Sequence, residues 1–101
     1  MVTTNWWLST VPSKTTKRHF DRVSALGCVL CRLIWDLRTP AEIHHVFDSA
    51  ARSDYLVVPL CPEHHRGKTG FHGLGQRAFE MRYKTTEYHL LAETIRLLEE
   101  S

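Results

Sequence analysis

All three cysteines and five of the seven histidines of this chain lie between Cys28 and His72. Thiolate-rich ligand sets suit structural zinc, whereas imidazole sets that keep an open position suit catalysis. The residues therefore divide into two groups with different work. Cys28-x2-Cys31 and Cys61-x2-His64 are half-sites of matching spacing, and a two-residue spacer lets both side chains of a half turn toward one tetrahedral ion. Structural zinc is expected on Cys28, Cys31, Cys61 and His64, with His65 the alternative fourth ligand. The odd cysteine count and the Cys-x2-Cys pair argue against a disulfide framework and for thiols kept reduced.

His44 and His45 are adjacent in a segment that reads as a strand, so their side chains point to opposite faces and cannot share one ion without distortion. They need separate roles. In a site that hydrolyses phosphodiesters, one imidazole can hold the metal while the other activates water. An imidazole of unperturbed pKa near 6.5 accepts a proton at neutral pH without large tuning. Arg52, Arg66 and Lys68 are close in sequence to these groups and are expected to position phosphate, with Arg77 and Arg82 extending that surface.

The elements that must hold these residues follow from pattern. Residues 1–12, with Trp6, Trp7 and Pro12, form an arm that packs by its indoles or stays loose, and residues 13–101 form one domain. Ser13 is an N-cap for a helix that runs to about Leu26 and stops at Gly27, delivering the chain to Cys28. A connector follows Cys31 through Pro40. Ile43–Phe47 and Tyr55–Leu60 are predicted to be strands of a hairpin joined by a polar loop, the second leading into Cys61. Glycines at 67, 70, 73 and 75 limit any helix starting at His64 to a short one. Gln76–Tyr83 reads as a helix with Phe79 and Tyr83 four apart, and Thr86–Glu99 as a last helix with Leu91, Ile95 and Leu98 as its buried stripe. Trp6, Trp7 and Trp35 are expected to be packing anchors, and His19 and His89 ordinary surface residues.

A chain of 101 residues has a modest core that a metal staple would strengthen. Nothing approaches the roughly 18 apolar residues of a membrane helix, and the start MVTTNWWLST is not a secretory signal, so the expectation is a cytoplasmic protein with no membrane partner. Net charge is only +2, but Lys14, Lys17, Arg18 and Arg22 precede the metal motifs and Arg66, Lys68, Arg77, Arg82 and Lys84 follow them, a distribution suited to a polyanion. No Gly-rich nucleotide cradle or nucleophile elbow is present, which disfavours other hydrolase classes.

The runs AEIHHVF, RSDYLVVPLCPEHHRG and GFHGLGQRAFEMRY resemble the HNH nuclease domain of the bacteriophage Ref recombination-enhancement family, within the ββα-metal or His-Me finger endonucleases. The resemblance covers about residues 13–92. It implies an α+β fold: a small ββα-metal domain with a zinc knuckle and flanking helices. It implies His44 as metal ligand and His45 as general base, with His65 and His72 completing the set for a catalytic Mg2+, Mn2+ or Zn2+ ion. Thr69 stands where HNH helices carry their next histidine, and His72 is the substitute. Asp54 takes the place of the middle asparagine and is expected to orient His45, direct metal binding being the alternative. The implied activity is cleavage of single- or double-stranded DNA to 5′-phosphate and 3′-hydroxyl ends, in a bacterial host and with RecA filaments as partner. Longer members carry a basic N-terminal extension, and the short arm here leaves room for a minimal, stand-alone form. The rival reading is a noncatalytic zinc module that binds nucleic acid or protein; a nonligand imidazole beside a ligand, such as His45, speaks for the hydrolase.

Overall fold

The computed structural model describes residues 13–46 and 53–101. Trp6, Trp7, Phe47 and Arg52 lie outside the described residues. The order is α1 (Lys14–Ala25), α2 (Val29–Trp35), β1 (Glu42–His45), β2 (Val57–Leu60), α3 (Pro62–Arg66), α4 (Phe71–Leu74), α5 (Gln76–Tyr83) and α6 (Glu87–Glu100). It is an α+β arrangement in which helices enclose a two-stranded sheet.

Ser13 caps α1 as expected, its hydroxyl accepting from the Thr16 amide, and Gly27 follows the helix at a φ of 78°. The Cys28 amide then donates to the Thr39 carbonyl, returning the chain toward β1. The connector expected after Cys31 is instead occupied by α2, which starts between the two cysteines. Cys28 is the reason. Its sulfur accepts from the Cys31 amide and so serves as N-cap, while Asp36 in the left-handed region closes the helix. The same local turn makes the helix and aligns both thiols.

β1 and β2 pair antiparallel, with His44 opposite Val58 and His45 opposite Val57. Both strands are shorter than expected; Tyr55 belongs to the turn that precedes β2. All four residues of β2 are buried because helices cover both of its faces, with α1 and α6 packed against it. Pro59 costs little in a two-stranded sheet, where each strand has an edge that needs no ladder donor. The core joins Val29 and Leu30 of α2, Val58 and Leu60 of β2, Phe79 of α5 and Leu90 of α6 around Cys28 and Cys31.

Helix α6 departs from its apolar pattern. The buried residues are Glu87, Leu90 and Thr94, with Leu91 and Leu97 partly covered, while Ile95 of the expected stripe is 50% exposed. The helix is rotated so that Glu87 at its first turn faces the sheet, and the Thr94 hydroxyl satisfies itself on the Leu90 carbonyl. Trp35 also differs from expectation: it is 55% exposed and stacks over the His64 ring at 5.6 Å, covering the cysteine cluster without filling the core.

Candidate metal centres and nuclease site

The ends of α2 and α3 converge to form the first cluster. Cys61 caps α3 with its sulfur on the His64 amide, the same device that Cys28 uses on α2. Both half-sites are thus helix N-termini that hold a thiol against their own first turn. Nδ1 of His64 lies 3.7, 3.5 and 3.3 Å from the sulfurs of Cys28, Cys31 and Cys61, and the Cys31 and Cys61 sulfurs are 3.9 Å apart. A tetrahedron with Zn–S near 2.3 Å and Zn–N near 2.0–2.1 Å has S–S edges of about 3.8 Å and S–N edges of about 3.6 Å. The donor set matches those edges and can hold a metal such as zinc. The cysteines are all free, and the sulfur separation is far outside the disulfide range. Burial pushes the Cys28 thiol up to about 12, the direction expected when no cation stabilises the thiolate. His64, not His65, stands with the three cysteines, its ring between Trp35 and Tyr83.

The second cluster is built on β1 and on the two helices that follow the sheet. His44, His65 and His72 each offer a ring nitrogen, and these lie within 4.8 Å of one another. Ring centroids are 5.3 Å apart for His44 with His65, 5.3 Å for His44 with His72 and 4.8 Å for His65 with His72. His72 reaches the others from α4, in the glycine-rich stretch between α3 and α5. A side chain at Gly73 would overlap the Gly67 carbonyl, and one at Gly70 the carbonyl of Glu63, so these two glycines let α4 press against α3.

His44 is buried, His65 half-buried and His72 exposed, so the cluster opens to solvent on one side. Burial first, then the neighbouring imidazoles, lowers His44 to about 3; burial and the His65 charge lower His72 as well. Ring nitrogens brought this close together on three elements suit a shared cation.

His44 and His45 of the first strand and His65 of α3 each meet a carboxylate. His44 Nε2 is 2.8 Å from Glu87, His65 Nδ1 is 2.9 Å from Glu42, and His45 Nε2 is 2.9 Å from Asp54. Strand alternation sends His44 toward α6 and α4, where it meets Glu87 and Phe71, and His45 toward Phe20 of α1. His45 remains part-exposed, and the side chain of Asp54 is half-exposed. Glu42 also receives both Nε and Nη2 of Arg66, and that contact, followed by His65, holds its carboxyl down at about 2.

Glu42 and Glu87 are functional candidates that the sequence reading missed. Glu42 had a usable signal, since a residue two before His44 on a strand shares its face. Glu87 had none. Of the expected phosphate contacts, Arg66 is engaged with Glu42 though still exposed, Lys68 is exposed on the segment after α3, and Arg77 lies with Leu74, Gln76 and Met81 along an open groove on α5.

The profile of the recombination-enhancement, RecA-dependent nuclease family matches residues 12–99, which takes in both clusters and every described element that builds them. The chain belongs to that family. Its description names nuclease activity, recombination and RecA together. Comparison with curated proteins gives no match. Among the described residues, no helix is long and apolar enough to cross a membrane.

Proposed function

We propose that this chain is a metal-dependent HNH endonuclease of the ββα-metal class that hydrolyses DNA phosphodiester bonds in recombination, acting in the bacterial cytoplasm with RecA filaments. The observation that carries the reading is the division between two neighbouring strand histidines. His44 lies among His65 and His72, and His45 pairs with Asp54 on the other face. The β1–β2–α3 order and the family match support it.

A divalent ion at His44, His65 and His72 would supply positive charge for the charge that develops on the phosphate and the leaving oxygen. His45 takes the proton of the attacking water. Asp54 faces its Nε2, so Nδ1 is the accepting nitrogen, and the carboxylate both fixes the tautomer and stabilises the imidazolium that forms. The water oxygen bonds to phosphorus while the bond to the 3′ oxygen breaks, leaving 5′-phosphate and 3′-hydroxyl ends. Arg66, Lys68, Arg77 and Arg52 serve as phosphate contacts, and Arg66 exchanges part of its hold on Glu42 for the backbone. The three-cysteine cluster with His64 carries structural zinc.

Plasmid digestion by the purified chain with Mg2+, Mn2+ or Zn2+, with and without RecA filaments, tests the assignment. Cleavage that needs a divalent ion and rises with RecA filaments is expected. The His45→Ala variant should lose about 10²–10⁴ of the rate, the range for a general base, while keeping its fold and metal content. Nicking by that variant at the wild-type rate would remove His45 from the role, and DNA binding without any cleavage would favour the noncatalytic zinc module.

A further inference from the structure

Helix α6 brings a buried carboxylate to the three-histidine cluster from a position 43 residues away in sequence, and its rotation departs from the apolar pattern to do so. The Glu87 side chain is 5% exposed and that of His44 3% exposed. Burying such a pair is costly unless its geometry is good, and an apolar pair of similar volume would pack at lower cost. Local structure favours an acid at this place. Thr86 caps α6 and puts Glu87 at the positive end of the helix dipole, and the Glu87 amide is held by the Glu80 carboxylate. One Glu87 oxygen is 2.8 Å from His44 Nε2, which leaves Nδ1 as the nitrogen of His44 that can turn to His65 and His72. On His65 the arrangement is inverted, with Nδ1 toward Glu42 and Nε2 open to the cluster.

We propose that Glu87 is a positioning residue of the metal centre: it accepts the Nε2 proton of His44, fixes that tautomer and ring angle, and presents Nδ1 to the ion. The proposal rests on the three-histidine reading above. Ligating histidines generally pass their second ring N–H to a carboxylate, and loss of such a partner weakens metal binding about 10- to 100-fold. Because Glu87 belongs to α6, the last helix becomes part of the ligand scaffold.

The tautomer can be read in the unaltered protein. Long-range proton–nitrogen correlation on the 15N-labelled full chain, with one equivalent of Zn2+ in the cysteine cluster, should show His44 protonated at Nε2; protonation at Nδ1 overturns the proposal. Co2+ titration of the same zinc-loaded protein, followed by visible absorption, should then show a second site that is about 10-fold weaker in Glu87→Gln and approaches 100-fold weaker in Glu87→Ala. Folded variants with wild-type Co2+ affinity and only a lowered melting temperature would make Glu87 a structural residue and sink the proposal while leaving the metal site standing. Failure of the unaltered protein to take up a second ion would sink both, and His44→Ala serves as the reference for that outcome.

Discussion

At the scale of single residues the main question is how imidazoles are kept ready for a cation. His44 has a folded pKa of about 3 against an ordinary 6.5, because burial and three neighbouring imidazoles oppose its protonation. A histidine depressed in this way binds more protons unfolded than folded between those values, so its stabilising contribution is complete above about pH 6.5 and is lost as pH falls toward 3. Acid unfolding followed by circular dichroism should therefore show stability declining from pH 6.5 downward, and His44→Phe should flatten that slope. An unchanged slope would mean other groups govern it. Asp54→Ala should leave the fold intact and reduce cleavage by less than His45→Ala does, since a carboxylate that orients a base is dispensable where the base is not. Equal losses would favour Asp54 as a direct metal ligand.

At the scale of elements, short helices do the positioning. α2 and α3 are each started by a cysteine sulfur, so the turn that caps the helix is the turn that aligns the ligand. α4 has no side-chain cap and stands on its closeness to the Gly67–Gly70 turn. Gly73→Ala should push α4 away from that turn and move His72 off the other two histidines. The expected outcome is weaker binding of the second ion with the first unaffected, measured by metal titration of the folded variant. Equal affinity would show that His72 is not needed for the ion.

At the scale of the whole molecule, a small core is tied together through the cysteine cluster. Cys28 and Cys31 are themselves core residues packed with Val58, Leu60, Phe79 and Leu90, so an ion there would join α2 to α3 inside the core that the sheet, α5 and α6 share. Zinc binding in finger peptides is worth about 10–16 kcal/mol, as large as the whole stability of a domain. Cys28→Ser, or a strong chelator at equilibrium, should thus unfold the chain; circular dichroism unchanged after metal removal would show that the core holds alone. With its thiol up at about 12, Cys28 must lose a proton to bind the metal, so zinc uptake should release acid in an unbuffered titration.

The two groupings of cysteine and histidine side chains were legible because residue type and spacing are local patterns: the two half-sites, the strand that separates His44 from His45, and the glycines before His72. Helices α1 and α5 were legible for the same reason, through a serine cap and a four-residue aromatic spacing. Helix α2 was not, because a cysteine acting as N-cap looks in sequence like a ligand alone. His64 and His65 could not be told apart by spacing, since both follow Cys61 closely enough; their separation depends on which direction α3 turns each ring. The face of α6 was misread because apolar content favoured Leu91 and Ile95, while packing favours the face that carries Glu87 to His44. A pairing across 43 residues leaves no periodic trace, and only the folded chain brings its two halves within hydrogen-bond reach.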